Sequence, residues 1–355
     1  MSIRIEGMAG SFFRSWEQGC WRILTQLRSS LWGKLSVPVR RLTSTLMMML
    51  GPSWSMLTGA RVTGTGFGAR RWTVKRARKG AALLVDPWTH LKIAKVLGRR
   101  EIRPVVEAAP RMIFKYLTGY LKDGLSRKER ASILVHHYTL LGNHAHEHFF
   151  RTIVDGRLEL WRELVGGRAY RIFLTFPRET HDEGDLALIF RADATDLYTL
   201  SFTLGPGIVA GLRAKNVMYI ARVQGKGGAL DLIRSATKSC LDISPTALLL
   251  SAAEGIAMEL NLEQIVGISG STQISAGKSP PGGLVTAYDD FWIAFGGQKL
   301  DGDMYRLTVP LAEKPLQLIK RCHRSRVRRK RAFRRLVSET VRASFRESVV
   351  RRAAG

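Results

Sequence analysis

The order of local patterns from Tyr198 to Ser269 limits the fold more than any other part of the chain. YTLSFTL and, after a turn, NVMYIARVQ read as strands. GKGG follows, then two helix-like segments, and then a short apolar run ending in VGIS. A strand that passes through glycines into a helix presents backbone N–H groups at the positive end of the helix dipole, which suits an anionic ligand.

The flanking patterns extend this core. AYRIFLTF, DLALIFRA and LYTLSFTLG alternate apolar and polar residues between short Gly/Asp turns, as antiparallel neighbours do. Upstream, Asp86 and Pro87 form a cap-then-proline start for a helix, and RPVVEAAPRMIFKYLTGYL continues helically. Ser126 with Glu129 has capping-box spacing, and Leu134, Tyr138 and Leu141 set one apolar face of the helix that follows. YDDFWIAFGG and DMYRLTVP close the globular part. The expected class is α+β, with a mainly antiparallel sheet and helices packed on one face.

Charge divides the chain. The formal net charge is +27, yet residues 1–79 hold 14 Lys+Arg against 2 Asp+Glu and residues 314–355 hold 15 against 2, which leaves the middle near neutrality. The expected organisation is a basic extension over 1–80, an α+β domain over 81–313 and a basic amphipathic helix and tail over 314–355. Basic ends suit an anionic membrane surface or another polyanion such as nucleic acid, or simply keep the protein soluble. At the N-terminus Phe12, Phe13, Trp16, Trp21, Leu24, Leu27 and Leu31 form one helical stripe with arginines between them, suited to a bilayer surface or to the protein's own domain. Gly59–Gly80 reads as a linker. Near the C-terminus Phe333, Leu336, Val337, Val341 and Phe345 recur at helical intervals among arginines.

The most apolar early stretch, Leu46–Leu57, is interrupted by Gly51 and Pro52 and is far shorter than the roughly 20 residues of a membrane span. No secretory signal is evident. Cys20, Cys240 and Cys322 form no CxxC pair, which speaks against a disulfide framework and for a reducing compartment. A cytoplasmic protein, peripheral on the inner membrane, is the expectation.

Three constellations bear on chemistry. His136, His137, His144, His146 and His148 cluster, but no HExxH order or carboxylate at ligand spacing accompanies them, so surface or capping roles are expected. Gly267-Ile-Ser269-Gly270 lacks the spacing of a nucleophile elbow. The turn Arg222-Val-Gln224-Gly225-Lys226-Gly227-Gly228 has the form RxxGxG and resembles the pyrophosphate loop of GNAT-type acyltransferases. That resemblance implies an acyl-coenzyme A or acyl-carrier donor held by the amides of Gly225, Gly227 and Gly228, with Arg222 and Lys226 offering charge. It also implies a split between the strands at 216–224 and 264–269. An ordinary glycine turn between strand and helix is the alternative, and two helices before the next strand depart from the single one of that fold.

Several blocks in order resemble the VirK/YbjX family of bacterial proteins: LSRKERASILVHHYTLL (125–141), LYTLSFTL (197–204), Val223–Gly225 before Leu232, SPTALLLSAAEGIAMELNLEQIVGIS (244–269), YDDFWIAFGG (288–297) and the basic KRCHRSRVRRKRAFRRL (320–336). The resemblance implies a role in envelope maintenance or virulence, namely handling of outer-membrane proteins or tolerance of cationic peptides, with no established reaction. A GNAT-like core would act there on a lipid or envelope-protein substrate. Tyr288, Asp289 and Trp292 are candidates for an acceptor-side wall, against aromatic core packing with Asp289 as a cap. The segment 270–287 is longer and richer in glycine and proline than the family pattern. The competing class is a non-catalytic binding protein held by its basic ends.

Overall fold

Local signals start the helices where the sequence places them. Asp86 accepts a hydrogen bond from the Thr89 amide at 3.1 Å and Pro87 occupies the first turn of α1, Pro87–Leu97. The computed structural model describes residues 86–146, 148–177, 181–275 and 283–349, and the residues from Val85 onward form one compact unit. The stripe at Phe12–Leu31, the linker at Gly59–Gly80 and residues 276–282 of the glycine- and proline-rich segment lie outside the described residues. Helix α2, Arg103–Ala108, is short, and the chain then tightens into a 3-10 helix over Pro110–Leu117. Helix α3, Arg127–His144, opens with the full capping box: the Glu129 amide donates to Ser126 and the Ser126 amide donates to Glu129. Helix α4, Phe149–Asp155, leads into the sheet.

Eight strands form one sheet in the order β1-β2-β3-β4-β5-β6-β8-β7. They are β1 Leu158–Val165, β2 Arg168–Thr175, β3 Leu186–Ala192, β4 Thr195–Gly205, β5 Val217–Gly225, β6 Gln264–Ile268, β7 Gln298–Leu300 and β8 Met304–Thr308. Every pairing is antiparallel except β5 with β6. A parallel pair needs a crossover, and two helices supply it: α5, Leu230–Ser239, and α6, Pro245–Glu259. Both helices expected between those strands are present. Helix α7, Gly283–Ala294, joins β6 to β7.

Alternation sorts the faces. On one face Ile172, Leu174, Leu188, Phe190, Leu200 and Phe202 are essentially fully buried, and α6 packs across β3, β4 and β6. Fully burying a leucine or phenylalanine contributes about 1.5–3 kcal/mol, so this layer carries much of the core. Helices are not confined to one face, contrary to expectation: the other face is covered at one end by α3, where Ile133 and Tyr219 close on Gly205. Its other end, around Thr175, Ala187, Ile189 and Thr199, forms a hollow.

Helix α8, Arg324–Ser348, lies along α6 and touches β1. A Cβ at Gly255 would stand 2.3 Å from the Ser338 carbonyl oxygen, so glycine permits backbone contact between the two helices. Val337, Val341 and Phe345 are buried in the seam. Part of the α8 charge is compensated within the chain: Arg342 and Arg346 pair with Glu259, Arg334 and Arg335 with Glu313, and Arg326 with Asp242. Among the described residues no helix is long and apolar enough to cross a membrane.

Candidate functional site

Strand β5 is the place where backbone geometry and unsatisfied polar groups meet. Its parallel ladder with β6 covers only Met218, Ile220 and the residue between them, opposite Ile265, Val266 and Gly267. β5 runs on to Gly225, whereas β6 ends at Ile268. Beyond Ile220 the β6 side of β5 therefore has no strand partner. On the β4 side Ser201 faces Arg222 and Phe202 faces Ile220, so Ala221 is the extra residue of a β-bulge. Tyr288, from α7, occupies the gap: its hydroxyl donates to the Val223 carbonyl at 2.8 Å and accepts from the Val223 N–H at 3.0 Å.

The glycine turn follows directly. Tyr198 pairs with Gly225, and a Cβ there would lie 2.9 Å from the Tyr198 ring, so any larger residue would have to push the end of that side chain aside. The Lys226 amide donates to the Leu197 carbonyl, which anchors the turn to β4. Gly228 has φ +76°, and a Cβ at Gly227 would meet nothing within 4 Å. The amides of Gly227 and Gly228 have no acceptor among the described residues, and α5 begins without a side-chain cap. Gln224, Lys226, Gly227 and Gly228 are exposed. This turn and the uncapped α5 can accept an anion.

Arg222 turns away from the glycines. Its Nη1 meets Glu183 Oε2 at 2.6 Å, and Glu183, at the end of a 3-10 turn before β3, is buried. Three buried polar atoms gather here without a hydrogen-bond partner among the described residues: Glu183 Oε1, Arg222 Nε and Ser201 Oγ. Ser201 is the β4 partner of Arg222, a Cβ at Gly184 would stand 3.0 Å from the Ser201 Cβ, and Gln273 hydrogen-bonds to the Tyr288 hydroxyl. Buried polar atoms of this kind take a hydrogen-bond partner, either an ordered water or a polar group of a ligand. A hollow of about 760 Å³ at the end of the sheet face away from α3 has Arg222 in its lining. Burial raises the Tyr288 hydroxyl above its ordinary value, so it stays protonated and able to donate.

Two residues beyond Glu183 lies a second polar group, fully enclosed. Lys115 Nζ is 2.8 Å from Asp185 Oδ1, and the carboxylate also accepts from Thr203, Tyr138 and Tyr120. Burial alone would raise the Asp185 carboxyl, but Lys115, His137 and the hydrogen bonds bring it to about 2. Burial lowers the Lys115 ammonium and the carboxylate opposes that shift. His137 accepts from the Leu204 amide, and burial holds it at about 4, hence neutral near pH 7. With both charged groups almost wholly enclosed, this network braces the loop that carries Glu183.

The other sequence candidates separate. Tyr288 joins the site. Asp289 accepts from the Gly270 amide at 3.2 Å, a capping role, and Trp292 is fully buried, donating to the Ile268 carbonyl at 2.9 Å while its ring covers Gly267. Among the described residues no group of histidines, cysteines and carboxylates is arranged to hold a metal, and His144 bonds back to the Leu140 carbonyl of its own helix. Glu183, Ser201 and Gln273 were invisible to sequence reasoning. They are isolated polar residues on separate elements, and the only local hint is the acidic run HDEGD before β3.

Comparison with known proteins bears on the whole unit. The family described as "Protein of unknown function (DUF535)" matches residues 74–343. The chain belongs to this DUF535 family. The Escherichia coli (strain K12) protein described as "Uncharacterized protein YbjX" is 29% identical over 229 residues, spanning 62% of this chain and 68% of that protein. The VirK/YbjX membership expected from the sequence blocks is thereby established. No solved structure matches the chain. The DUF535 match covers all eight strands and the greater part of α8.

Proposed function

We propose that this DUF535 protein is an acyltransferase-type enzyme whose donor, an acyl-coenzyme A or an acyl-carrier protein, binds at the carboxyl end of β5. The observation that carries this reading is the coincidence, at the end of the sheet's one parallel pair, of a ladder that stops after Ile220 and an outward glycine turn with free amides at Gly227 and Gly228. Crevices beyond the carboxyl ends of parallel strands are where open sheets bind ligands. Phosphates would lie on the turn and the α5 N-terminus. The acyl end would run along β5 past the bulge at Ala221, once Tyr288 gives up Val223. The unpartnered oxygen of Glu183 and the hollow that Arg222 lines supply the acceptor side, where a carboxylate can take a proton from an amine or hydroxyl.

By family resemblance the acceptor is an envelope lipid or protein, and the protein acts in envelope maintenance or virulence, handling outer-membrane proteins or protecting against cationic peptides. It would work in the cytoplasm, peripherally on the inner membrane, with residues 1–80 and 314–355 held by an anionic surface. Melting curves of the full chain with acetyl-, myristoyl- and palmitoyl-coenzyme A test the donor: a saturable rise supports it, and none with any donor refutes it.

One observation favours a second reading. Tyr288 already satisfies both backbone groups of Val223, as in a protein that binds partners without catalysis and has closed this cleft for good. A binding adaptor of that kind, held on anionic lipid or nucleic acid by its basic ends, would show no donor response.

A further inference from the structure

A groove unrelated to the β5 site runs along the outer side of α3. It measures about 770 Å³ and lies between α1, α3 and the loop before β5, within the range of small-ligand sites. Helices α1 and α3 run side by side in the same direction: Asp86 at the start of α1 feels the charges of Arg127 and Lys128, and Arg99 beyond its end donates to Asn143.

Three lysines from three elements face the groove, Lys92 on α1, Lys128 on α3 and Lys215 on the loop, while no carboxylate lines it. None of the three is in an ion pair among the described residues, in contrast to the arginines of α8 that pair with Glu259 and Glu313. Ser132 and Thr139 add neutral hydroxyls. The wall includes His136, which hydrogen-bonds to Asn216 of the same lining. Point-charge ammonium groups with flanking hydroxyls are phosphate chemistry.

Large apolar side chains flank this basic groove. Trp88 is 71% exposed and lies one helical turn from Lys92 on the same face of α1. Ile208 is 75% exposed, and its neighbour Gly207 bonds to Ala214, next to Lys215. An exposed tryptophan and isoleucine beside unpaired lysines match the layering of a phospholipid surface, apolar below and phosphate above.

We infer that the α1–α3 groove binds a phosphate ester through Lys92, Lys128 and Lys215, either in a phospholipid headgroup with Trp88 and Ile208 at the interface or in a soluble phosphorylated ligand. The inference stands independently of the acyl-donor reading. It is tested in the full chain carrying a fluorophore at Ser132→Cys, with Cys20 and Cys322 replaced by Ser and the buried Cys240 retained. The probes are inorganic pyrophosphate, vesicles of phosphatidylglycerol in phosphatidylcholine, and vesicles of phosphatidylcholine alone. A saturable change that weakens about a hundredfold in K92A/K128A/K215A and is unaltered in K299A, a control for net charge, supports the site. Response to pyrophosphate assigns it to a soluble ligand. Response only to phosphatidylglycerol vesicles, lost in W88S/I208S, assigns it to a headgroup. Melting of the unlabelled chain with pyrophosphate, and its flotation with the same vesicles, exclude an effect of the label. No saturable response to any probe, or a response that survives the triple substitution, overturns the inference.

Discussion

The hydroxyl of Tyr288 both donates to and accepts from the backbone of Val223, at 2.8 and 3.0 Å, so one side chain takes the place of a missing strand neighbour. It is the point on which the two readings of β5 divide, because a donor lying along β5 needs the same two backbone groups.

Tyr288→Phe removes both bonds and leaves the Val223 amide and carbonyl without their partner. We expect a loss of about 1–2 kcal/mol in urea unfolding. Under the acyltransferase reading the same variant binds acyl-coenzyme A more tightly than the wild type, since the backbone groups no longer have to be released.

Glu183 and Arg222 form a pair of which the carboxylate is nearly enclosed and the arginine partly exposed. Glu183→Ala strands the guanidinium beside other unsatisfied atoms and should cost about 2 kcal/mol, below the usual figure for a fully buried pair because Arg222 retains some solvent. A double-mutant cycle with Arg222→Met should return a coupling of about 1–2 kcal/mol. A coupling near zero would mean that the two charges are independently solvated.

Acid should weaken the fold in two stages. His137 has a folded value of about 4 against 6.5, and Asp185 about 2 against 3.8. Both folded values lie below the unfolded ones, so in each window the unfolded chain binds more protons and stability falls as pH falls. The first loss runs from about pH 6.5 to 4, on the order of 3 kcal/mol, and the second begins below 4. His137→Asn retains an acceptor for the Leu204 amide but cannot titrate, so in urea titrations at stepped pH its loss through the first window should be clearly smaller than that of the wild type, the remainder coming from His90 and His136, which burial also lowers.

Much of this architecture was legible in the sequence, for reasons specific to each element. β2, β3 and β4 can be read because each is an apolar strand-length run bounded by short Gly/Asp turns, and Ser126 with Glu129 announces α3. β1 is hard to read because in LELWRELV the charges at Glu159, Arg162 and Glu163 do not alternate with the apolar residues, and a bulge between Glu159 and Trp161 breaks its register. β7 is three residues long, too short for any period, and α7 was hidden in YDDFWIAFGG next to a glycine- and proline-rich stretch. Of the candidate site, the glycine turn could be read because its residues are contiguous. Tyr288 could be named from the aromatic block YDDFW, but Glu183, Ser201 and Gln273 could not, because only the sheet register and the chain turns before β3 and after β6 bring them beside Arg222.

Gly255→Val places a side chain against the Ser338 carbonyl, where even a Cβ would sit 2.3 Å away. The backbone of neither helix can yield cheaply, so α8 should be displaced from α6, with a loss of more than about 2 kcal/mol. Limited proteolysis should then cut within Arg324–Ser348 at protease levels that leave the wild type intact.

The proposal for β5 is tested most directly by calorimetric titration of acetyl- and palmitoyl-coenzyme A into the full chain and into Gly227→Val. A side chain at Gly227 meets no protein atom within 4 Å, so the variant keeps its melting temperature while its side chain bars phosphates from the turn. The account predicts saturable binding to the wild type with at least one donor and its loss in Gly227→Val. Absence of binding to the wild type, or equal binding to the variant, would contradict it.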